Sequence, residues 1–282
     1  MYGIRQSLAF VLAITVTTTS LIAEDKHTPF IVTTGNLAVE FSPMGEIIGI
    51  TTGDKAVRLA LTSGTRLTNC QTVGDTAMLS LPDGGLQFTR TVAVNAAEPR
   101  ARLVETFRPT PNSIRWEIEI TGLGSPWTAP IETWLQWPAT TPAKWWTAWA
   151  DPRPGNNKDW ADPLVASSFN DRLLNYIAGS LYDPNSFVIP LLVLLDEAND
   201  RGLTLALSPE DLALVTNLNV NRDGLMVFNR HLHRIQPERP VRFAMDLIAH
   251  PADWRCGLDW MVRRYPMYFD PPNPDVHDFA GC

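Results

Sequence analysis

The sequence predicts an all-β protein, a large antiparallel β-sandwich that ends in one amphipathic helix. Three observations predict it. Short segments of alternating or apolar character recur from Phe30 to Ile248, Pro-, Gly-, Asn- and Asp-containing turns separate them, and only one segment, near the C-terminus, carries a clear 3.6-residue period. With 282 residues, 45% hydrophobic and 19% charged, the chain has length for a sizeable core and the composition of neither a disordered nor a coiled-coil protein.

The elements follow in order. Leu37-Ala-Val-Glu-Phe-Ser42 alternates up to a turn at Pro43-Met-Gly45, and Glu46-Ile-Ile-Gly-Ile-Thr51 runs on to Gly53-Asp54, so the two read as a hairpin. Leu86 to Ala96, Ala101 to Arg108 and Ser113 to Thr121 read as longer strands, with a Pro-Thr-Pro-Asn turn between the last two. In Ile114-Arg-Trp-Glu-Ile-Glu-Ile120 every second residue is apolar, as in an antiparallel strand with one face in the core. Phe187 to Leu195, Gly202 to Leu207, Leu212 to Val220, Leu225 to Arg230 and Val241 to Ile248 continue the theme, with turns at Asn199-Asp200, Pro209, Asp223-Gly224 and Pro237. After Pro251, the residues Trp254, Leu258, Met261 and Tyr265 fall at i, i+4, i+7 and i+11, a single apolar helical stripe, and Pro266 ends it. Pro271, Pro272 and Pro274 then favour an extended path.

At the N-terminus, Arg5, the apolar run Leu8 to Val16 and the small residues up to Ala23 have the layout of a cleaved export signal. The expected organisation is a signal peptide over 1–23, a sandwich over 28–250, a helix over 251–269 and an exit segment over 270–282. The expected location is secreted or periplasmic, with no membrane contact once the signal is removed. A net charge of −7 with no basic stripe excludes a nucleic-acid backbone as partner, and a neutral ligand fits best. Cys70, Cys256 and Cys282 show no metal-type spacing; export would permit a Cys70–Cys256 disulfide, and isolated thiols are the simpler reading.

Eight of the ten tryptophans lie between Trp116 and Trp160. Trp134 and Trp137 belong in or beside a strand and pack in the core. Lys144 to Trp160 reads instead as a long loop rich in Pro, Gly, Asn and Asp, and such loops are often functional. Indole faces cover the C–H face of a sugar while carboxylates, amides and guanidinium groups pair with its hydroxyls. Trp145, Trp146, Trp149, Asp151, Arg153, Asn156, Asn157, Asp159 and Trp160 would supply both kinds of contact; the alternative is that the indoles plug one end of the sandwich.

Glycosidic cleavage needs two acids flanking one bond. Asp151, Asp159, Asp162, Asp196 and Glu197 are candidates, but spacing pairs none of them, and Asp196-Glu197-Ala-Asn-Asp200 reads as a solvated turn. His231 and His233 would share one face of a strand, as metal ligands or a proton-transfer pair would require. No third ligand follows, so a surface or edge pair is the simpler reading. No nucleophile elbow, zinc-protease, Walker or dinucleotide motif occurs, and neither a cofactor nor a metal is expected.

Two stretches resemble the N-terminal region of large exported bacterial glycoside hydrolases. Gly35 to Ile50 is similar to the opening hairpin of their galactose-mutarotase-like supersandwich, and Asp253 to Phe269 to the helix that leaves it. The resemblance spans about residues 30 to 274 and implies a galactose-mutarotase-like supersandwich, followed in such enzymes by a (β/α)₈ barrel that holds the catalytic acids. No barrel position exists in this chain, so no catalytic residue carries over, and the barrel would be a missing partner. An exposed stripe on the last helix would fit that picture. The resemblance implies a non-catalytic region that supports or lines a carbohydrate site. A free-standing carbohydrate-binding module, and an aldose epimerase-like or lyase-like sandwich using His231 or His233, remain open beside it.

Overall fold

The computed structural model describes residues 30–95, 98–138, 143–149, 169, 171–176, 186–211, 216–270 and 273. The export-signal region and most of the expected tryptophan loop lie outside the described residues.

The first half supplies β1 (Phe30–Thr34), β2 (Leu37–Phe41), β3 (Ile47–Thr52), β4 (Lys55–Leu67), β5 (Gln71–Ser80), β6 (Leu86–Asn95), β7 (Glu98–Pro109) and β8 (Ile114–Gly122). The second supplies β9 (Trp127–Gln136), β10 (Lys144–Trp149), β11 (Arg172–Tyr176), β12 (Ser186–Asp196), β13 (Arg201–Leu207), β14 (Thr216–Val220), β15 (Leu225–Ile235), β16 (Val241–His250) and the helix α1 (Trp254–Arg264). The strands run in the order β1-β2-β3-β4-β9-β15-β14-β11-β12-β13-β16-β8-β7-β6-β5, with β10 added on β12. Every described pairing is antiparallel except β11 with β12. The all-β expectation holds, and the strands form a large curled sheet with the helix α1 packed on it.

The expected hairpin is β2–β3. Ser42 Oγ accepts from the Met44 and Glu46 N–H groups, each at 3.2 Å, and Gly45 takes a φ of +76° where a Cβ would strike the Phe88 ring. The inward residues of this end meet those of β6 to β8. Phe41 lies 4.4 Å from Phe107 and 5.4 Å from Phe88 between ring centroids, and Phe107 stacks on Trp116 at 5.2 Å. All four side chains are fully buried, each removing enough apolar area from water to contribute about 1.5–3 kcal/mol. Glu105 and Arg90 form an ion pair inside this cluster. Glu105 also accepts from Trp116 Nε1 at 3.0 Å, and Arg90 donates to the Met44 carbonyl at 3.0 Å. These bonds satisfy charges that would otherwise be costly to bury.

β8 alternates as expected, with Ile114, Trp116, Ile118 and Ile120 inward. β12 and β13 are buried on both faces, because the core covers one side and α1 the other. Trp146, Leu191, Val193, Ala206, Ile248, Met261 and Tyr265 form this outer cluster, with Trp146 and Trp254 at 4.4 Å between ring centroids. The exposed helical stripe is therefore a correction: Met261 and Tyr265 are buried, and Trp254 and Leu258 pack partly against the same layer. Gly257 permits the approach, since a Cβ there would lie 2.2 Å from Thr204 Oγ1. Asp253 caps the helix by accepting from the Arg255 N–H at 2.9 Å. At the other end, Tyr265 OH accepts from Arg115 at 2.7 Å. Arg115 also donates to Asp246 at 2.8 Å, and Ser113 Oγ donates to the same carboxylate at 2.7 Å.

Cys70 and Cys256 are both free thiols, so the disulfide that export would permit is not formed.

Candidate functional site

The tryptophan segment begins as structure, not as loop. Lys144–Trp149 is β10, paired along β12 with bulges on either side of Ala148. Pro190, which has no N–H to give, sits opposite that irregularity. Alternation then sends neighbouring indoles to opposite layers: Trp145 is fully buried in the main core, and Trp146 packs beneath α1. Neither indole has a face free to cover a sugar. Trp149 ends the strand by its backbone, pairing with Phe187. Asp151, Arg153, Asn156, Asn157, Asp159 and Trp160 lie outside the described residues, as does Asp162.

The expected solvated turn at Asp196 to Asp200 forms, with residues 197–200 exposed, and only Asp196 departs from it. Asp196 is buried and accepts from Arg201 Nε at 2.6 Å and from Asn199 Nδ2 at 2.9 Å, so it closes the β12–β13 turn. Glu197 pairs with Lys144 at the surface. The two histidines do not act together. A bulge between Arg230 and His233 on β15 breaks the alternation that would have aligned them. His231 Nε2 meets Asn217 Nδ2 at 2.9 Å, whereas His233 lines a cleft with Arg230. Among the described residues no group of three or more His, Cys, Asp or Glu side chains could hold a metal ion.

What the fold does bring together lies on β6, β7, β8 and β16. Their inward residues build the core, and their outward residues line an open cleft of about 630 Å³. Arg102, Glu117, Glu119 and Arg242 give this surface its charge, and Gln87 and Thr106, hydrogen-bonded to each other at 3.1 Å, give it neutral polar groups. Arg242 Nε donates to Glu119 at 2.7 Å, and Arg108 approaches Glu117 at 3.4 Å. Carboxylates held beside guanidinium groups on a strand face present fixed acceptors and donors, the arrangement that hydroxyl-rich ligands need.

Asp211, in the turn after β13, stands at the end of this cleft and also lines a second one of about 450 Å³ with Arg230, His233 and Phe243. The Ala244 N–H donates to Asp211 at 2.7 Å. Burial pushes the Asp211 carboxyl above its usual range, and the hydrogen bond and the charges of Arg230 and Arg115 only partly offset this. Burial lowers His233, and the positive charge of Arg230 lowers it further. Arg230 is the extreme case: fully buried, its guanidinium over the Phe243 ring at 3.9 Å, it is pushed down by burial to about 10, with Asp211 opposing the shift.

Apart from His233, none of these cleft residues stood out as a site in the sequence. Arg115, Glu117 and Glu119 were visible only as the polar half of an alternating strand. Arg230 did leave a signal, a charge at the inward position that follows Met226 and Phe228 in the alternation of β15.

No family model and no curated protein matches the chain. Among solved structures it is similar to an aldose 1-epimerase candidate from Escherichia coli K12, at 10% identity and a TM-score of 0.52 over 79% of this chain and 99% of that one. It is similar to a protein of Synechocystis sp. PCC 6803 at the same identity, 10%, and TM-score, 0.52, over 90% of this chain and 100% of that one. A GH36 α-galactosidase variant from Geobacillus stearothermophilus matches at 8% identity and a TM-score of 0.47, over 84% of this chain and 42% of that one. Identities this low speak to the fold alone, and the first two likenesses establish the sandwich over the full length of both neighbours.

Proposed function

We propose that this sandwich recognises carbohydrate, as the non-catalytic part of an exported glycoside-hydrolase system. The observation that carries the reading is the 630 Å³ cleft on β6, β7, β8 and β16, whose outward strand positions offer charged and neutral hydrogen-bonding groups to one ligand-sized space. Its two strand carboxylates are engaged by Arg242 and Arg108, which suits them to hydroxyl recognition rather than to proton transfer. Export belongs to the same proposal and rests on the leader read at residues 1–23. A mature N-terminus near Glu24 in the secreted product supports it, and an uncleaved chain retained in the cell overturns it.

The test is calorimetric titration of the purified chain with mono- and disaccharides, beside an Arg102→Ala variant. Arg102 is exposed and outside the core, so the variant keeps its fold. At least one saccharide is expected to bind, with affinity about tenfold weaker in the variant, on the scale of one charge-assisted hydrogen bond. Absence of binding to every sugar, or equal affinity for both proteins, overturns the reading.

A second reading has its own observation. Asp211 and His233, shifted in opposite directions toward neutrality, line one cleft with Arg230, and such a set suits acid–base chemistry at a sugar's anomeric centre. Polarimetry of freshly dissolved α-glucose or α-galactose tests it. This reading requires faster mutarotation that His233→Ala and Asp211→Asn each remove.

A further inference from the structure

The most anomalous group in the molecule is the Arg230 side chain. It is 2% exposed, yet Nη1 and Nη2 have no hydrogen-bond partner among the described residues. Arg90 and Arg201 differ in that each contacts a carboxylate: Arg90 pairs with Glu105 and donates to the Met44 carbonyl, and Arg201, although its Nη1 also lacks a partner, pairs with Asp196. The Phe243 ring lies over the Arg230 guanidinium at 3.9 Å, and Asp211 acts on it through space. A buried charge without partners costs far more than a satisfied one, so its persistence marks a place where something else completes the bonding.

The surroundings say what that group must be. Arg230 lines the 450 Å³ cleft together with His233, and Arg234, Arg239 and Arg242 stand along the same cleft, exposed toward its mouth. Glu210 and Asp211 are the acids that line it. A chain of net charge −7 therefore gathers four arginines at one small opening, three of them around a fourth with unsatisfied donors. Nη1 and Nη2 form the planar end of a guanidinium, which matches the two oxygens of a carboxylate in a bidentate pair. Asp211 beside it disfavours a doubly charged phosphate more than a singly charged carboxylate.

We propose that this cleft is an anion site anchored by Arg230 and that it takes the carboxylate of an acidic sugar, a hexuronate or a uronate-ended oligosaccharide. The inference rests on the carbohydrate reading above and narrows its ligand class. The buried guanidinium binds the carboxylate, the Phe243 ring holds it in plane from the other side, and the exposed arginines draw the anion to the mouth. The sugar ring extends toward Asp211, which the 630 Å³ cleft shares.

The experiment is titration and thermal-shift measurement with D-glucuronate, D-glucose and acetate on the wild-type chain, Arg230→Met and Arg230→Lys. Glucuronate is expected to bind at least tenfold more tightly than glucose and to raise the melting temperature. Arg230→Met is expected to match or exceed the ligand-free melting temperature of the wild type, because it removes an unpaired buried charge, and to lose the glucuronate shift. Arg230→Lys keeps the charge without the planar fork and should bind glucuronate at least tenfold more weakly, which keeps the test decisive if the methionine variant does not fold. Glucuronate binding equal to that of glucose overturns the inference and leaves the carbohydrate reading standing. Acetate binding without any sugar binding overturns both and leaves a bare carboxylate pocket. A glucuronate shift undiminished in both variants removes Arg230 from the site.

Discussion

At the scale of single residues, the same side-chain type takes different work according to what surrounds it. Trp145 and Trp146 are adjacent in sequence, yet one fills the main core and the other supports the helix. Trp145→Ala is expected to lower stability by about 3–5 kcal/mol in urea unfolding, the cost of emptying a large buried site. A variant that folds normally but loses ligand would instead place Trp145 in a binding surface. His250 is buried, with Nε2 at 2.8 Å from Thr204 Oγ1 and Nδ1 at 2.6 Å from the Pro251 carbonyl. Burial lowers its pKa, and its bond to Pro251 and the charge of Asp253 only partly oppose this. The unfolded chain therefore takes up a proton more readily than the folded one. This group leaves stability unchanged above about pH 6.5 and reduces it as pH falls from there toward the folded-state value. In unfolding measurements from pH 5 to 8, His250→Gln is expected to flatten that acid slope, and an unchanged slope would show that His250 does not contribute to it.

At the scale of elements, the helix shows packing overriding propensity. Alanine at Gly257 would favour the isolated helix by about 1 kcal/mol. Its Cβ, however, would fall 2.2 Å from Thr204 Oγ1 and 3.1 Å from Val193 Cγ2. Gly257→Ala is therefore expected to destabilise the protein by about 1–2 kcal/mol net, as overpacking outweighs propensity; a gain in melting temperature would show that α1 sits farther from β13. Strands with one face in the core were legible in the sequence where their side chains alternate, as in β2 and β8. β5 was not, because nearly every residue in it is exposed at the sheet edge, where no apolar period is required. β10 was hidden for a different reason. Its indoles are buried on both faces, so it shows no alternation, and its proximity to a Pro- and Asn-rich stretch made it look like part of that loop.

At the scale of the whole molecule, stability rests on sheet pairing, one aromatic core and one helix-covered layer, without a Cys70–Cys256 cross-link. A reducing agent is expected to leave the melting temperature unchanged, and a fall of several degrees would reveal a disulfide between them. The clefts are also products of the whole molecule. β6, β7, β8 and β16 are adjacent in the sheet although β16 follows β8 by more than a hundred residues, and the Asp211 turn reaches the same surface only because β13 pairs with β16. The sequence by itself determined the all-β class, most strand positions and the helix with its apolar stripe, since these follow from local periodicity and turn chemistry. Only the tertiary structure decided that the stripe is covered, that Trp145 is core, that a bulge parts His231 from His233, and that Arg230, without a hydrogen-bond partner at Nη1 or Nη2 among the described residues, lines a cleft. Each of those depends on which distant strands pair and on which face of the sheet curls inward, and local periodicity holds no record of either.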